Sequence, residues 1–163
     1  MRGLAKTYGF DNIVYVDESG FESSACRVRG WGRVGQKVYG DRSGNKRPRT
    51  SLIAGKKGRQ LIAPVLFQGS TDADWFNQWF EQHLFPVLHQ PSVIVMDNAP
   101  FHKTEPTFVL FQNSPHVLLF LPPYSPDFNP IEQDFATLKK RRQFSPSGTP
   151  IDHIVTSYAS YLE

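Results

Sequence analysis

The order of apolar runs and chain breakers predicts an α/β domain, a mixed β-sheet flanked by helices. Two observations carry that expectation. Short β-branched runs separated by glycine-rich turns dominate the first part of the chain, as in antiparallel strands. Later runs alternate with segments of helical periodicity, as in βα units. At 163 residues the sequence fits one domain, taken as 1–163, with enough chain to bury a real core.

Ile13 to Val16 is β-branched and aromatic and reads as a buried strand. Cys26 to Trp31 and Gly35 to Tyr39 alternate more loosely around glycines, as a hairpin would. Ser51 to Ala54 and Leu61 to Phe67 are further strands across a G-K-K-G-R-Q turn, and Pro64 marks the second as an edge or a bulge. Thr71-Asp72-Ala73-Asp74 resembles a capping box, with Thr71 opening a helix. Trp75, Phe76, Trp79, Phe80 and Leu84 follow on one helical face and read as core. Val93 to Met96 is a strand. A helical stretch from about Lys103 to Gln112 is interrupted by Pro106, and Val117 to Leu121 is another strand. After the rigid connector Pro122-Pro123-Tyr124-Ser125-Pro126, Asn129 and Pro130 suit the N-cap and first position of a helix. Ile131, Phe135 and Leu138 form its buried face, and Ile151 to Leu162 is a last short helix.

Composition narrows the function. The longest apolar run, Val117 to Leu121, is far short of the ~20 residues that span a bilayer. The first ten residues lack the apolar core of a signal peptide. Cys26 has no partner cysteine for a disulfide, so an intracellular protein is expected. Net charge is +3, yet eleven basic residues and one acid, Asp41, lie between Arg27 and Arg59. A second cluster runs Lys139-Lys140-Arg141-Arg142. That asymmetry favours a polyanionic partner. Charge alone fits a solvated basic loop equally well; glycines and Trp31 interleaved with Arg27, Arg29 and Arg33 tilt the reading toward a loop or hairpin that contacts nucleic acid, joined by Lys37, Arg47 and Arg49.

Three segments end apolar runs with acids: I-V-Y-V-D-E-S-G-F, V-I-V-M-D-N-A-P-F-H-K and P-P-Y-S-P-D-F-N-P-I-E. They offer Asp17 and Asp97 at strand ends, where open α/β sheets place functional groups, and Glu132 in the first helical turn. Three converging carboxylates make a hard oxygen site suited to Mg²⁺ or Mn²⁺. Each residue also has a structural reading: a strand-end aspartate forms turns, and a glutamate three residues after an N-cap reaches back to cap it. Spacing leaves both open for Glu132. Asp134 and Glu18 are acidic neighbours expected to point away from the Glu132 and Asp17 faces. His102 and Lys103 follow Asp97 closely; the histidine could orient a phosphate, assist proton transfer or simply pack. The cysteine count excludes a Cys-ligated zinc site, and no G-x-x-x-x-G-K-[ST] loop is present.

The strings V-D-E-S-G-F, M-D-N-A-P-F-H-K and L-P-P-Y-S-P-D-F-N-P-I-E-Q-D-F-A-T-L-K-K resemble the three signature blocks of mariner-like DDE transposases, above all the bacterial insertion-sequence branch. R-G-W-G-R-V-G-Q is similar to that branch's loop after the first strand, and 34 residues separate Asp97 from Glu132, as is typical of the group. The resemblance runs from about Asp11 to Arg142 and implies a ribonuclease H-like fold with a mixed five-stranded sheet. It also implies that Asp17, Asp97 and Glu132 hold two Mg²⁺ or Mn²⁺ ions and serve as the catalytic residues of DNA strand cleavage and strand transfer. DNA is the implied partner, with Lys139, Lys140, Arg141 and Arg142 among its backbone contacts. A homodimer on DNA and a bacterial, nucleoid-associated location are implied with it. Relatives usually carry an N-terminal helix-turn-helix region, and none is expected before Asp11. A separate DNA-binding protein or reading-frame product would then supply end recognition. Phe135 stands where many relatives have Trp. A remnant that only binds DNA and a structure-selective nuclease of the same fold are the competing readings.

Overall fold

The computed structural model describes residues 7–21, 33–35, 37, 49–69, 71–123, 128–146 and 148–162, without the side chains of 101 and 159–162. The expected hairpin over Cys26–Trp31 and Gly35–Tyr39 falls almost wholly outside them, as do Arg27, Arg29, Trp31 and Arg47.

Among the described residues five strands form one sheet in the order β3-β2-β1-β4-β5. They are β1 (Ile13–Phe21), β2 (Thr50–Lys57), β3 (Gln60–Gln68), β4 (Val93–Met96) and β5 (Val117–Phe120). β1, β2 and β3 pair antiparallel, while β4 pairs parallel with β1 and β5 parallel with β4. This is the mixed sheet that the sequence predicts. The helices are α1 (Ala73–Trp79), α2 (Glu105–Gln112), α3 (Ile131–Phe144) and α4 (Ile151–Leu162). α1 runs on through a π-helical turn at Phe80–Leu84 and a 3-10 turn at Phe85–Val87.

Alternation along β1 sorts two cores. Val14 and Val16 join Ile53, Phe76, Trp79, Phe80, Leu84 and Phe111 on one face, under α1 and α2. Phe21 joins Leu52, Ala54, Ile131, Phe135, Leu138 and Tyr158 on the other, under α3 and α4. Gly55 permits the close approach on the α1 side, since a Cβ there would lie 3.1 Å from Ile62, Leu84 and Val14 at once. The Phe135 side chain is 3% exposed, so the position is filled by packing.

Several local expectations shift. β1 does not end at Val16 but continues to Phe21, which puts Asp17 mid-strand. The α1 N-cap is Asp72, whose carboxylate accepts from the Trp75 amide, and not Thr71. Thr71 is drawn away by Glu18: its hydroxyl donates to Glu18 Oε2 at 2.6 Å. Pro106 does not interrupt a helix. It sits in the first turn of α2, where its missing N–H costs nothing, behind the cap Thr104. α3 starts one residue later than expected, with Pro130 at the N-cap position and no side-chain cap; Asn129 contributes only its carbonyl, to Glu132 N at 3.2 Å.

Pro64 marks both an edge and a bulge. The register moves from Ile53↔Val65 to Gly55↔Ile62, so Ala63 and Pro64 together oppose Ala54. Ala63 has φ 49°, left-handed backbone that an L residue adopts only when held there. Trp79 Nε1 holds it, donating to the Ala63 carbonyl at 3.1 Å while its ring is 1% exposed. Trp79→Ala is therefore expected to cost about 3–5 kcal/mol in urea unfolding. Trp79→Phe, which loses chiefly the hydrogen bond, should cost about 1–2 kcal/mol. A Trp79→Phe variant as stable as the wild type would show that the bond to Ala63 contributes nothing.

Candidate active site

Asp17 belongs to β1 but lies where its parallel partner runs out. The β1–β4 register ends at Tyr15↔Val95, and extended by two residues it sets Asp97 beside Asp17. On the antiparallel side Asp17 stays paired with Ala54. Alternation from Phe21 turns Asp17 toward the face covered by α3, the helix that bears Glu132. The three carboxylates expected from the sequence thus come to one end of the sheet.

Their charges act on one another. The Asp17 carboxyl is pushed up to about 7, first by burial and then by the negative charges of Asp97, Glu132 and Glu18, against a lowering hydrogen bond from the Glu18 amide at 2.8 Å. Asp97 is shifted the other way, because His102 Nε2 sits 3.1 Å from its Oδ1; the Ala99 amide also donates to that oxygen, at 3.3 Å. His102 is 6% exposed and its ring lies against Phe76, with centroids 4.4 Å apart. His102 is thus packed inside the fold and turned to Asp97, not among the exposed residues that could meet a phosphate. A buried ring, fixed by an aromatic neighbour, holds one oxygen of Asp97 and leaves the half-exposed carboxylate its other oxygen.

Glu132 is exposed, and no hydrogen bond or ion pair engages its carboxylate among the described residues. The capping alternative is thereby unused. Asp134, two residues on, is instead 5% exposed and fully engaged: Lys56 Nζ pairs with its Oδ2, and Tyr158 donates to its Oδ1 at 2.6 Å. That removes it as a candidate ligand. Glu18 faces the α1 side, tied to Thr71.

Of the basic residues expected to meet DNA, Arg33, Lys37, Arg49, Lys103, Lys139 and Lys140 are exposed. Arg49 lies across Gly20 so closely that a Cβ there would overlap its guanidinium. Lys103 stacks over Phe120, 5.2 Å from the ring centre. Arg141 and Arg142 have tasks within the fold: Arg141 covers the Tyr158 ring at 4.8 Å, and Arg142 donates to the Thr149 carbonyl.

The sequence matches the family described as DDE superfamily endonuclease over residues 12–148, most of its length. The chain belongs to the DDE superfamily. A search of curated protein sequences finds no match. Among solved structures, the fold is similar to the Mos1 strand transfer complex, with a TM-score of 0.79 at 20% identity over 97% of this chain and 50% of that one. The Mos1 mariner paired end complex with Mn gives 0.77 at 19% identity over 98% and 51%. The isolated catalytic domain of Mos1 mariner transposase gives 0.63 at 14% over 97% and 74%. This chain thus spans about half the length of the first two Mos1 chains. At these identities the likeness establishes the fold, the ribonuclease H-like arrangement expected from the signature blocks.

The donor chemistry of this DDE domain suits a divalent metal. All candidate ligands are hard carboxylate oxygens, and the mutual repulsion felt at Asp17 is what a cation relieves. Two buried amide oxygens, Asn98 Oδ1 and Asn129 Oδ1, have no hydrogen-bond partner among the described residues, and they lie on the segments that carry Asp97 and Glu132. As they stand, no three His, Cys, Asp or Glu side chains among the described residues are gathered into a ligand cluster. Ligation by all three would need these side chains to come closer together than they stand, and the exposed Asp97 and Glu132 side chains are not held by packing. The sequence showed the three acids. It gave no sign of the Asn129 oxygen or of the Asp134 cluster, because both depend on which side of a helix meets the sheet.

Proposed function

We propose that this DDE domain is the catalytic unit of a transposase that cleaves DNA strands and transfers them at insertion-sequence ends. The supporting observation is the convergence of Asp17, Asp97 and Glu132 at one end of the sheet. Mg²⁺ or Mn²⁺, two per site, would be held by these three residues; such ions activate a water or a 3′-hydroxyl and neutralise charge on the leaving oxygen.

The chain's own residues prepare that chemistry. Asp17, largely buried on a central strand, is the rigid member of the set. Asp97 presents one oxygen, with His102 and the Ala99 amide fixing the other. Glu132 comes from a different element, the first turn of α3, and is exposed. No side chain need act as a covalent nucleophile. Arg33, Lys37, Arg49, Lys103, Lys139 and Lys140 are exposed cations that can hold phosphates without reading bases. Two strand ends must be joined, so two copies on one DNA are expected.

A strand-transfer assay with pre-cut duplex ends and a plasmid target tests this, because it bypasses end recognition. Metal-dependent joining is the expected result. A folded chain that neither nicks nor joins with Mg²⁺ or Mn²⁺ overturns the proposal, and equal cutting of branched, unrelated DNA would replace it with a structure-selective nuclease.

A further inference from the structure

The Lys56–Asp134–Tyr158 cluster joins three elements beneath the face that carries Asp17. Lys56 is on β2, directly opposite Tyr15 and two residues from Ala54, the partner of Asp17. Asp134 is in the first turn of α3, and Tyr158 is on α4. The carboxylate is held at both oxygens from different directions, so it can neither swing nor slide. Arg141, two turns further along α3, covers the ring of the same Tyr158.

Helix geometry links this cluster to Glu132. At about 100° per residue, Ile131, Phe135 and Leu138 form a narrow apolar stripe toward the sheet. Asp134 lies on one flank of that stripe and Glu132 on the other, so any roll of α3 that loosens Asp134 also re-aims Glu132. An apolar stripe alone tolerates such a roll, since hydrophobic contact is not directional. A carboxylate anchored at both oxygens does not. Stability by itself is a poor reason for such a cluster, because a buried ion pair is commonly no more stabilising than apolar residues of similar volume.

We propose that Lys56, Asp134 and Tyr158 are positioning residues that fix the rotation of α3 and so aim Glu132 at Asp17 and Asp97. This inference rests on the metal-site reading given above. Lys56 has a second consequence on the same face: locked to Asp134, it is kept from pairing with Asp17, which stays open to a metal.

The test replaces the cluster by apolar residues, Lys56→Met, Asp134→Leu and Tyr158→Phe together, and compares thermal midpoint with Mn²⁺ affinity by calorimetry. The expected result is a retained midpoint with Mn²⁺ affinity weakened about tenfold or more. The Mn²⁺ concentration for half-maximal strand cleavage should rise with it. Lys56→Arg, which keeps a cation on Asp134, should bind Mn²⁺ like the wild type. A folded apolar variant with wild-type Mn²⁺ affinity overturns the inference while leaving the metal site standing. If the wild type itself neither binds Mn²⁺ nor cleaves, both fail. Should the triple variant not fold, Tyr158→Phe alone decides, because it removes one of the two anchors without leaving a charge unpaired. It should weaken Mn²⁺ binding about threefold, and an unchanged affinity overturns the inference.

Discussion

Asp97→Asn is expected to abolish strand cleavage, by at least about 10³-fold, while leaving the thermal midpoint within a few degrees of the wild type. The magnitude follows from the site. Removing one of three charged oxygens weakens a divalent ion that contributes several kcal/mol to the transition state, and each 1.36 kcal/mol is about tenfold in rate. The fold should be indifferent, because the Asp97 side chain is 54% exposed and lies beyond the last β4 pairing. An asparagine oxygen can still accept from the Ala99 amide and from His102, so the loop keeps its shape. Calorimetric titration of Mn²⁺ into both proteins, followed by cleavage assays, checks this. Undiminished cleavage by a folded Asp97→Asn variant would refute the assignment of the site.

The second large effect is on pH dependence. The Asp17 carboxyl is raised from 3.8 to about 7, first by burial and then by its acidic neighbours. The folded state therefore prefers the protonated acid. Without metal, its contribution to stability is fully present below the unfolded value near 4 and is lost as pH rises toward 7. The change is on the order of 4 kcal/mol across that window. Asp17→Asn stays neutral throughout, so the midpoint difference between the two proteins in chelator should grow from pH 4 to 7 in favour of the variant, then level off. With metal the sign reverses, since a cation competes with the proton for the same oxygens. Apparent Mn²⁺ affinity should rise about tenfold per pH unit below pH 7 and flatten above it. Parallel melting curves for wild type and Asp17→Asn at every pH would show that the Asp17 carboxyl is ordinary.

What the sequence made legible divides along the same physical line. Period-two and helical patterns located the strands around Val14, Val95 and Leu118 and the buried faces at Trp79 and Leu138, because burial writes itself into residue type. The signature blocks singled out Asp17, Asp97 and Glu132, which lie toward one end of the sheet. Ends were harder. Asp17 follows an apolar run and looks terminal, yet β1 continues through Glu18 because β2 pairs with it as far as Phe21. Thr71 looked like a cap until Glu18, 53 residues earlier, took its hydroxyl. Asp134 carries a charge and so reads as surface, but Lys56 and Tyr158 hold it inside. Each of these depends on a distant partner that no local pattern contains.

The bulge at Ala63 and Pro64 also governs how copies of this domain can meet. Among the described residues β3 is one margin of the sheet, and an uninterrupted margin invites a strand from another molecule to add to the ladder. Here the row of outward amides is broken by a proline that has none, and the backbone turns left-handed at Ala63 under the hold of Trp79. A visiting strand would find no continuous template along that margin. A second copy of this domain would thereby be steered away from open-ended sheet growth along that margin.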